Sequence, residues 1–379
     1  MRVKLFIAAA LAGLSLGGPV QAATQQDVDW CYSTTDTDDQ TIQGCTAMIQ
    51  SGSYSGTELS QAYNNRGFGY LNKTQYDLAI QDFNQSIQLD PNNVEAYNNR
   101  GSAYQDKGEN DAAITDFNQA LQLRPAYAHA FNNRGNAYDA KHMYQQAIQD
   151  YNQAIQIQPD YPKAYFNRAN AYRHSGQCDP AIADYTQAIA LNPSYESAFV
   201  NRGICYDNKQ QYSQAMQDYT QAINLDSQDS IAYHDRALVF NSLHDYTSAI
   251  RDNTRAIELN PQYGNAYDGR CWSRALAGRE LPQALVDCTT ALRFSPNNAN
   301  TLNSRGLVQL KMKHYAQAFA DYDASVNGDP SEASSYFGRG VARNHMKGDK
   351  GKGDADIATA KQLYPDVANE FIRWGYHDF

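Results

Sequence analysis

AHAFNNRGNAYDAKHMYQQAIQDYNQAIQIQP, from Ala128 to Pro159, is the stretch from which the fold can be read. Phe131, Gly135 and Tyr138 are spaced by four and then three residues, and Ala147, Tyr151 and Ala154 repeat that spacing in the second half. Each trio therefore falls on one face of a helix. A turn separates them, and Pro159 ends the second helix because its ring removes an N–H and clashes with the preceding turn. The stretch reads as a helix hairpin with one apolar face.

Its neighbours are copies of it. Asn133-Arg134-Gly135 recurs outward as Asn99-Arg100-Gly101 and Asn65-Arg66-Gly67 on one side, and as Asn167-Arg168-Ala169, Asn201-Arg202-Gly203 and Asp235-Arg236-Ala237 on the other, always 34 residues apart. Gly269-Arg270-Cys271 continues the series, and Ser304-Arg305-Gly306 and Gly338-Arg339-Gly340 follow after a one-residue insertion. Proline closes every copy except the fifth, which has Ser227. A fixed period of this size marks stacked supersecondary units, since one hairpin cannot bury its apolar face alone.

This pattern resembles the tetratricopeptide repeat from about Ser60 to Asp366. With Ser60 as position 1, the family's small positions 8 and 20 hold Gly67 and Ala79, its aromatic positions 11 and 24 hold Tyr70 and Phe83, and its proline position holds Pro91. The resemblance implies an all-α, right-handed α-solenoid (superhelix) of about nine helix hairpins, with N- and C-terminal caps and a concave groove. The expected organisation is a signal peptide at 1–22, an N-terminal cap at 23–59, nine repeat units at 60–366 and a C-terminal capping helix at 367–379. In the N-terminal cap Thr41 to Ile49 reads as a second helix without a clear partner. Phe371, Ile372, Trp374, Tyr376 and Phe379 supply the apolar surface of the last helix. Copies seven to nine carry Arg274, Gln309 and Arg343 at position 11, where tyrosine is expected, and a glycine-rich insertion spans Gly348 to Gly353, so these copies are expected to be less regular.

Arg2 and Lys4, an apolar run from Leu5 to Leu16 and the small-residue end at Ala22 follow the three-part pattern of an export signal. The apolar run is shorter than the roughly 20 residues of a spanning helix. The expectation is a periplasmic or secreted protein with no membrane insertion after cleavage. A net charge of -10 argues against nucleic acid, whose binding rests on Lys and Arg at phosphates. Six cysteines in an exported chain point to disulfides. Cys271 at position 8 and Cys288 at the aromatic position of the same hairpin should face one another. Cys178 and Cys205 fall at one end of the stack, and Cys31 and Cys45 would tie down the N-terminal cap.

Two polar series run along the copies. Arginine holds position 7 in all nine, and an aspartate recurs in every second helix: Asp82, Asp116, Asp150, Asp184, Asp218, Asp252, Asp287, Asp321 and Asp356. A ladder of Arg–Asp pairs between packed helices explains both, the arginine stem covering apolar surface while its fork meets a carboxylate. The other series is asparagine. With positions 4, 8 and 11 buried, positions 2, 6, 9 and 13 face the groove. Position 6 holds Asn65, Asn99, Asn133, Asn167 and Asn201, position 5 adds Asn64, Asn98 and Asn132, and position 9 adds Asn136 and Asn170. This ladder is similar to the one on the superhelix of O-linked N-acetylglucosamine transferases, where by resemblance it grips the backbone of an extended peptide. An amide offers both donor and acceptor and can pair with any peptide group. From Asp235 onward the ladder breaks into Gly269, Ser304 and Gly338.

The family's clamp for C-terminal carboxylates needs lysine at position 5, where this chain never has Lys or Arg. Gly351-Lys352 lacks the Ser or Thr and the preceding strand of a phosphate loop, and Asp36, Asp38 and Asp39 lack the glycine and distant glutamate of a calcium loop. No cofactor, metal or catalytic constellation is expected. The functional expectation is a non-enzymatic, monomeric adaptor binding protein or peptide ligands of the cell envelope, resembling exported bacterial tetratricopeptide proteins. The alternatives are a self-associating structural protein and a glycan-binding module.

Overall fold

Glycine at position 8 leaves a notch that the ring at position 24 fills, except in the ninth copy, where Gly340 faces Ile357. In a computed structural model, a Cβ added to Gly67 would lie 2.8 Å from Phe83, to Gly101 2.7 Å from Phe117, to Gly135 2.7 Å from Tyr151, and to Gly203 2.8 Å from Tyr219. A real Cβ cannot approach that closely, so glycine is what lets the two helices pack in contact. Those rings are sealed from solvent, as are the position-20 alanines Ala79, Ala113 and Ala147.

The structure describes residues 22–33, 35–349 and 351–379. All but the last residue of the expected signal peptide lies outside them. Among the described residues there are 21 α-helices and no strand, and no helix is long and apolar enough to cross a membrane. The chain divides into two compact units at Ser175/Gly176.

In the first unit α1 (Gln25–Tyr32) packs on α2 (Asp38–Ser51), α3 (Gly56–Asn72) on α4 (Tyr76–Leu89), α5 (Val94–Asp106) on α6 (Asn110–Leu123) and α7 (Ala128–Ala140) on α8 (Tyr144–Ile157), with α9 (Pro162–His174) against α8. In the second unit α10 (Cys178–Leu191) packs on α11 (Glu196–Asn208), which pairs with α12 (Tyr212–Leu225). Further hairpins follow: α13 (Ser230–Ser242) with α14 (Tyr246–Leu259), α15 (Gly264–Ala277) with α16 (Leu281–Phe294), α17 (Ala299–Lys311) with α18 (Tyr315–Gly328) and α19 (Ala333–Asn344) with α20 (Asp354–Leu363). The helix α21 (Val367–Arg373) closes the series on α19 and α20. Within each unit the first helices of successive hairpins also touch: α3 with α5, α5 with α7, α13 with α15, and α15 with α17. Each unit is thus an α-solenoid whose first helices share one face.

The structure departs from the sequence reading at both ends. Thr41 to Ile49 does have a partner, α1, whose eight residues carry too few apolar side chains to show a period. Gly44 makes the contact possible, since a Cβ there would lie 2.3 Å from the Asp27 carbonyl. Asp38 and Asp39 occupy the first turn of α2, where they complement the helix dipole, and Lys73 reaches Asp39. In copies seven and eight the helices keep 13 to 14 residues, and the irregularity falls on the ninth, whose second helix shrinks to 10. At the C-terminal end Phe371 is buried against Phe337, with ring centroids 4.7 Å apart. Lys311 donates to the carbonyls of Ala275 and Trp374, tying α15, α17 and the end of α21 together, and burial pushes its ammonium down to about 8.

Candidate peptide-binding face

The arginine ladder is internal. In eight copies Nε and Nη2 of the arginine donate to the two oxygens of the aspartate on the second helix, the Nε bonds spanning 2.7–2.9 Å. Three of these pairs lie in the first unit (Arg66–Asp82, Arg100–Asp116, Arg134–Asp150) and five in the second. The guanidinium also stands over the position-4 ring, 5.4 Å from the Phe131 centroid for Arg134, a contact that favours a cation. The free Nη1 crosses to the preceding hairpin: Arg100 donates to Asn84 and Arg134 to Asn118, each at 2.6 Å, and Arg202 to Thr186 at 2.9 Å. Each of these arginines therefore joins two helices of its own hairpin to the one before it, which the sequence did not disclose because position 25 changes from Asn in the first three copies to Thr in the next four. A fork so fully engaged has little left for an external anion.

The asparagines form a directed chain across the first unit. Asn167 Nδ2 donates to Asn132 Oδ1 at 2.9 Å, Asn132 to Asn133 at 3.3 Å, Asn133 to Asn98 at 3.2 Å and Asn98 to Asn99 at 3.4 Å. Asn99 then donates to Asn64 at 3.1 Å, Asn64 to Asn65 at 3.1 Å, and Asn65 to the Cys31 carbonyl at 3.0 Å. The two rows have different surroundings. Asn64, Asn98 and Asn132 are buried between neighbouring first helices rather than set on the open wall, while Asn65, Asn99, Asn133 and Asn167 are half-buried. Position 5 turns inward because adjacent first helices touch there, and an amide so placed must find a partner. Asn136 accepts from the Tyr151 hydroxyl at 2.7 Å. Asn170 is half-buried on α9, and Asn201 lies half-buried on α11 of the second unit. Each of Asn65, Asn99 and Asn133 donates once and accepts once in this chain of bonds; Asn65 and Asn99 keep a second N–H and a second lone pair, while Asn133 Nδ2 also donates to Ser102 Oγ at 3.4 Å and keeps only a lone pair.

In the second unit the same face opens into a cavity of about 430 Å³ between α13, α15 and α17. Small residues make the room: Gly269 and Ser304 stand where the first unit has asparagine. Position 24 of the sixth copy is Asn253 instead of a ring, and it is fully buried. Its Nδ2 donates to the Ala249 carbonyl at 3.1 Å, so its Oδ1 faces His234 Nδ1 at 2.9 Å. That bond places the imidazole proton on Nδ1 and leaves Nε2 a lone pair, and burial pushes the His234 pKa down. Asp268 lines the same cavity; burial pushes its carboxyl up to about 6, against the lowering effect of the Ser304 and Thr301 hydroxyls. Its Oδ1 is buried with no hydrogen-bond donor. Trp272 completes the wall, held edge-on by Trp374 at 5.1 Å between centroids. Sequence reading missed His234, Asp268 and Trp272; the available signal was the run of small residues interrupting a 34-residue asparagine series.

Two disulfides are present. Cys31–Cys45 joins α1 to α2 with Cα atoms 4.6 Å apart, and Cys271–Cys288 joins α15 to α16 at 5.5 Å. The latter occupies positions 8 and 24, replacing the glycine–ring contact of other copies with a covalent one. The expected middle pair is not formed: Cys178 opens α10 half-exposed while Cys205 is sealed within α11, and no disulfide joins them. Peptide mapping without reduction should recover the two linked pairs, with Cys178 alkylated in the native protein. A Cys178–Cys205 peptide in that map would contradict the structure.

Family models described as TPR repeat match residues 70–108 and 103–141, and models described as tetratricopeptide repeat match 128–161, 162–195 and 196–229. Among curated proteins none matches the chain in sequence. Of solved structures, the APC/C hetero-tetramer Cut9-Hcn1 is similar over 82% of this chain and 64% of that one, at 17% identity and a TM-score of 0.56. A tetratricopeptide repeat protein from Parabacteroides merdae is similar over 70% of this chain and 98% of its own, at 20% identity and a TM-score of 0.52. Pseudomonas aeruginosa pilF is similar over 54% and 93%, at 19% identity and a TM-score of 0.50. At these identities the likeness is one of fold. Together with the 34-residue period, the glycine–ring notch repeated from hairpin to hairpin and the family models, it makes this chain a tetratricopeptide-repeat protein, a member of a family of protein-interaction scaffolds.

Proposed function

We propose that this chain is a non-enzymatic adaptor of the cell envelope that holds extended segments of other polypeptides on the face made by its first helices. The observation that carries the reading is the asparagine row of the first unit. Asn65, Asn99 and Asn133 are half-buried and immobilised by the bonds of the row; Asn65 and Asn99 each retain one donor and one acceptor, and Asn133 retains an acceptor. Groups ordered in advance lose little entropy when a peptide backbone bonds to them. Because the partner groups would be peptide amides, such binding tolerates many sequences. The envelope location is supported by the leader-like pattern from Arg2 to Ala22 and by two disulfides, which persist in oxidising compartments.

The test is affinity capture from an envelope extract with the mature protein and with Asn99, Asn133 and Asn167 changed to alanine, alongside a thermal melt of both. Captured partners should bind the triple variant at least tenfold more weakly, since three lost charge-free hydrogen bonds at about 0.5–1.5 kcal/mol each exceed a factor of ten. Undiminished capture by a folded triple variant would sink the reading.

A further inference from the structure

The cavity of the second unit has a chemistry unlike that of the asparagine row. Its walls supply acceptors: the Asp268 carboxylate, and His234 Nε2, which makes no hydrogen bond among the described residues although His234 is only 7% exposed. Amides from Asn265 and Asn300 add carbonyl oxygens, and the Trp272 ring offers a π face, while Asn303 Oδ1 is held by the Ser334 and Ser335 hydroxyls. Neither Lys nor Arg lines it, and the one buried imidazole is fixed as an acceptor. A buried carboxylate whose Oδ1 has no donor carries a desolvation cost that an incoming cation would offset.

We propose that this cavity is the seat for an arginine side chain of the bound polypeptide. This rests on the reading that the first-helix face receives polypeptide and adds which residue the second unit selects. A guanidinium fits better than an ammonium because it is planar, spreads five N–H donors over two acceptors, and stacks on an indole while its head pairs with a carboxylate. At about 430 Å³ the cavity lies in the range of small-molecule sites, ample for one such side chain. Gly269 is part of the seat, because a Cβ there would stand 2.8 Å from Asn253 Oδ1 and 3.0 Å from His234 Cε1, forcing apart the pair that presents Nε2.

The experiment titrates the mature protein with the blocked pentapeptide Gly-Gly-Arg-Gly-Gly, with its citrulline analogue, and with free arginine, following the Trp272 indole N–H resonance. The arginine pentapeptide should shift that resonance and bind at least tenfold more tightly than the uncharged citrulline peptide, and more tightly than free arginine. Asp268→Asn should remove the preference while leaving the melting temperature equal or higher, since it removes an uncompensated buried charge. Equal binding of the arginine and citrulline peptides would overturn the proposal, as would binding as tight by free arginine or a preference that survives Asp268→Asn. A sugar such as N-acetylglucosamine shifting Trp272 when the arginine peptide does not would overturn it too. None of these readouts involves Asn99, Asn133 or Asn167, so failure here is separable from failure of the peptide-binding row.

Discussion

Replacing Arg134 by leucine should cost about 3–5 kcal/mol of unfolding free energy, read as a lower urea midpoint at unchanged slope. The size follows from what is left behind. Asp150 is 5% exposed and both of its oxygens accept from Arg134, at 2.8 and 2.7 Å. Leucine would fill the volume of the stem and leave that carboxylate buried beside it. The bond from Arg134 to Asn118 of the preceding hairpin would go as well, so the damage should spread to the neighbouring interface, as nearest-neighbour coupling in a solenoid requires.

Two controls identify the cause. Burial already pushes the Asp150 carboxyl up, against the lowering by its bonds and attraction to Arg134. Without the arginine the folded state would hold a proton on Asp150 more readily than the unfolded chain does. Stability lost at neutral pH should then return in part as the pH falls toward the raised folded pKa. The paired change Arg134→Leu with Asp150→Leu should recover most of the loss, since a buried ion pair replaced by apolar side chains of similar size is often neutral. A loss below about 1 kcal/mol for the single variant would show the pair to behave as an exposed one.

Phe117→Ala should be comparably severe, about 3–5 kcal/mol by the usual cost of emptying a ring from a sealed site. Phe117 has no exposure, and it lies over Gly101 so closely that a Cβ there would meet three ring carbons at 2.7–3.1 Å. The site cannot collapse, because the helices are held at that spacing by Arg100 and Asp116 on the same hairpin. Adding Gly101→Leu to Phe117→Ala should restore part of the loss by refilling the notch from the other side, whereas Gly101→Leu alone should destabilise by overpacking. A double variant no better than Phe117→Ala would mean that the notch tolerates only the ring's shape.

The Arg–Asp ladder was legible because both partners recur at 34-residue intervals and helical spacing puts them on facing surfaces. Its third contact, Nη1 to the preceding hairpin, was not, because Asn84, Asn118 and Thr186 differ in type and only their shared position reveals them. The partner of α2 was hidden for a related reason: α1 is one short polar helix, too brief for a period to emerge from it. Cys271 and Cys288 could be paired from repeat positions within one hairpin, where the geometry is set locally. Cys178 and Cys205 lie on different hairpins, where the same arithmetic gives only an end of the stack and not a distance.

By itself the sequence determined the hairpin, its period, the glycine–ring notch and the asparagine series, because all of these depend on contacts within a repeat or between identical repeats, where periodicity stands in for distance. Only the tertiary structure decided which face of each amide is used and what the broken ladder becomes. Whether Asn132 is buried while Asn133 is half-exposed depends on how closely neighbouring first helices approach, and the cavity of His234, Asp268 and Trp272 comes from three helices that no single repeat contains. Side chains from different copies meet only once the hairpins are stacked, and no one-dimensional pattern records the space left where a large residue is replaced by a small one.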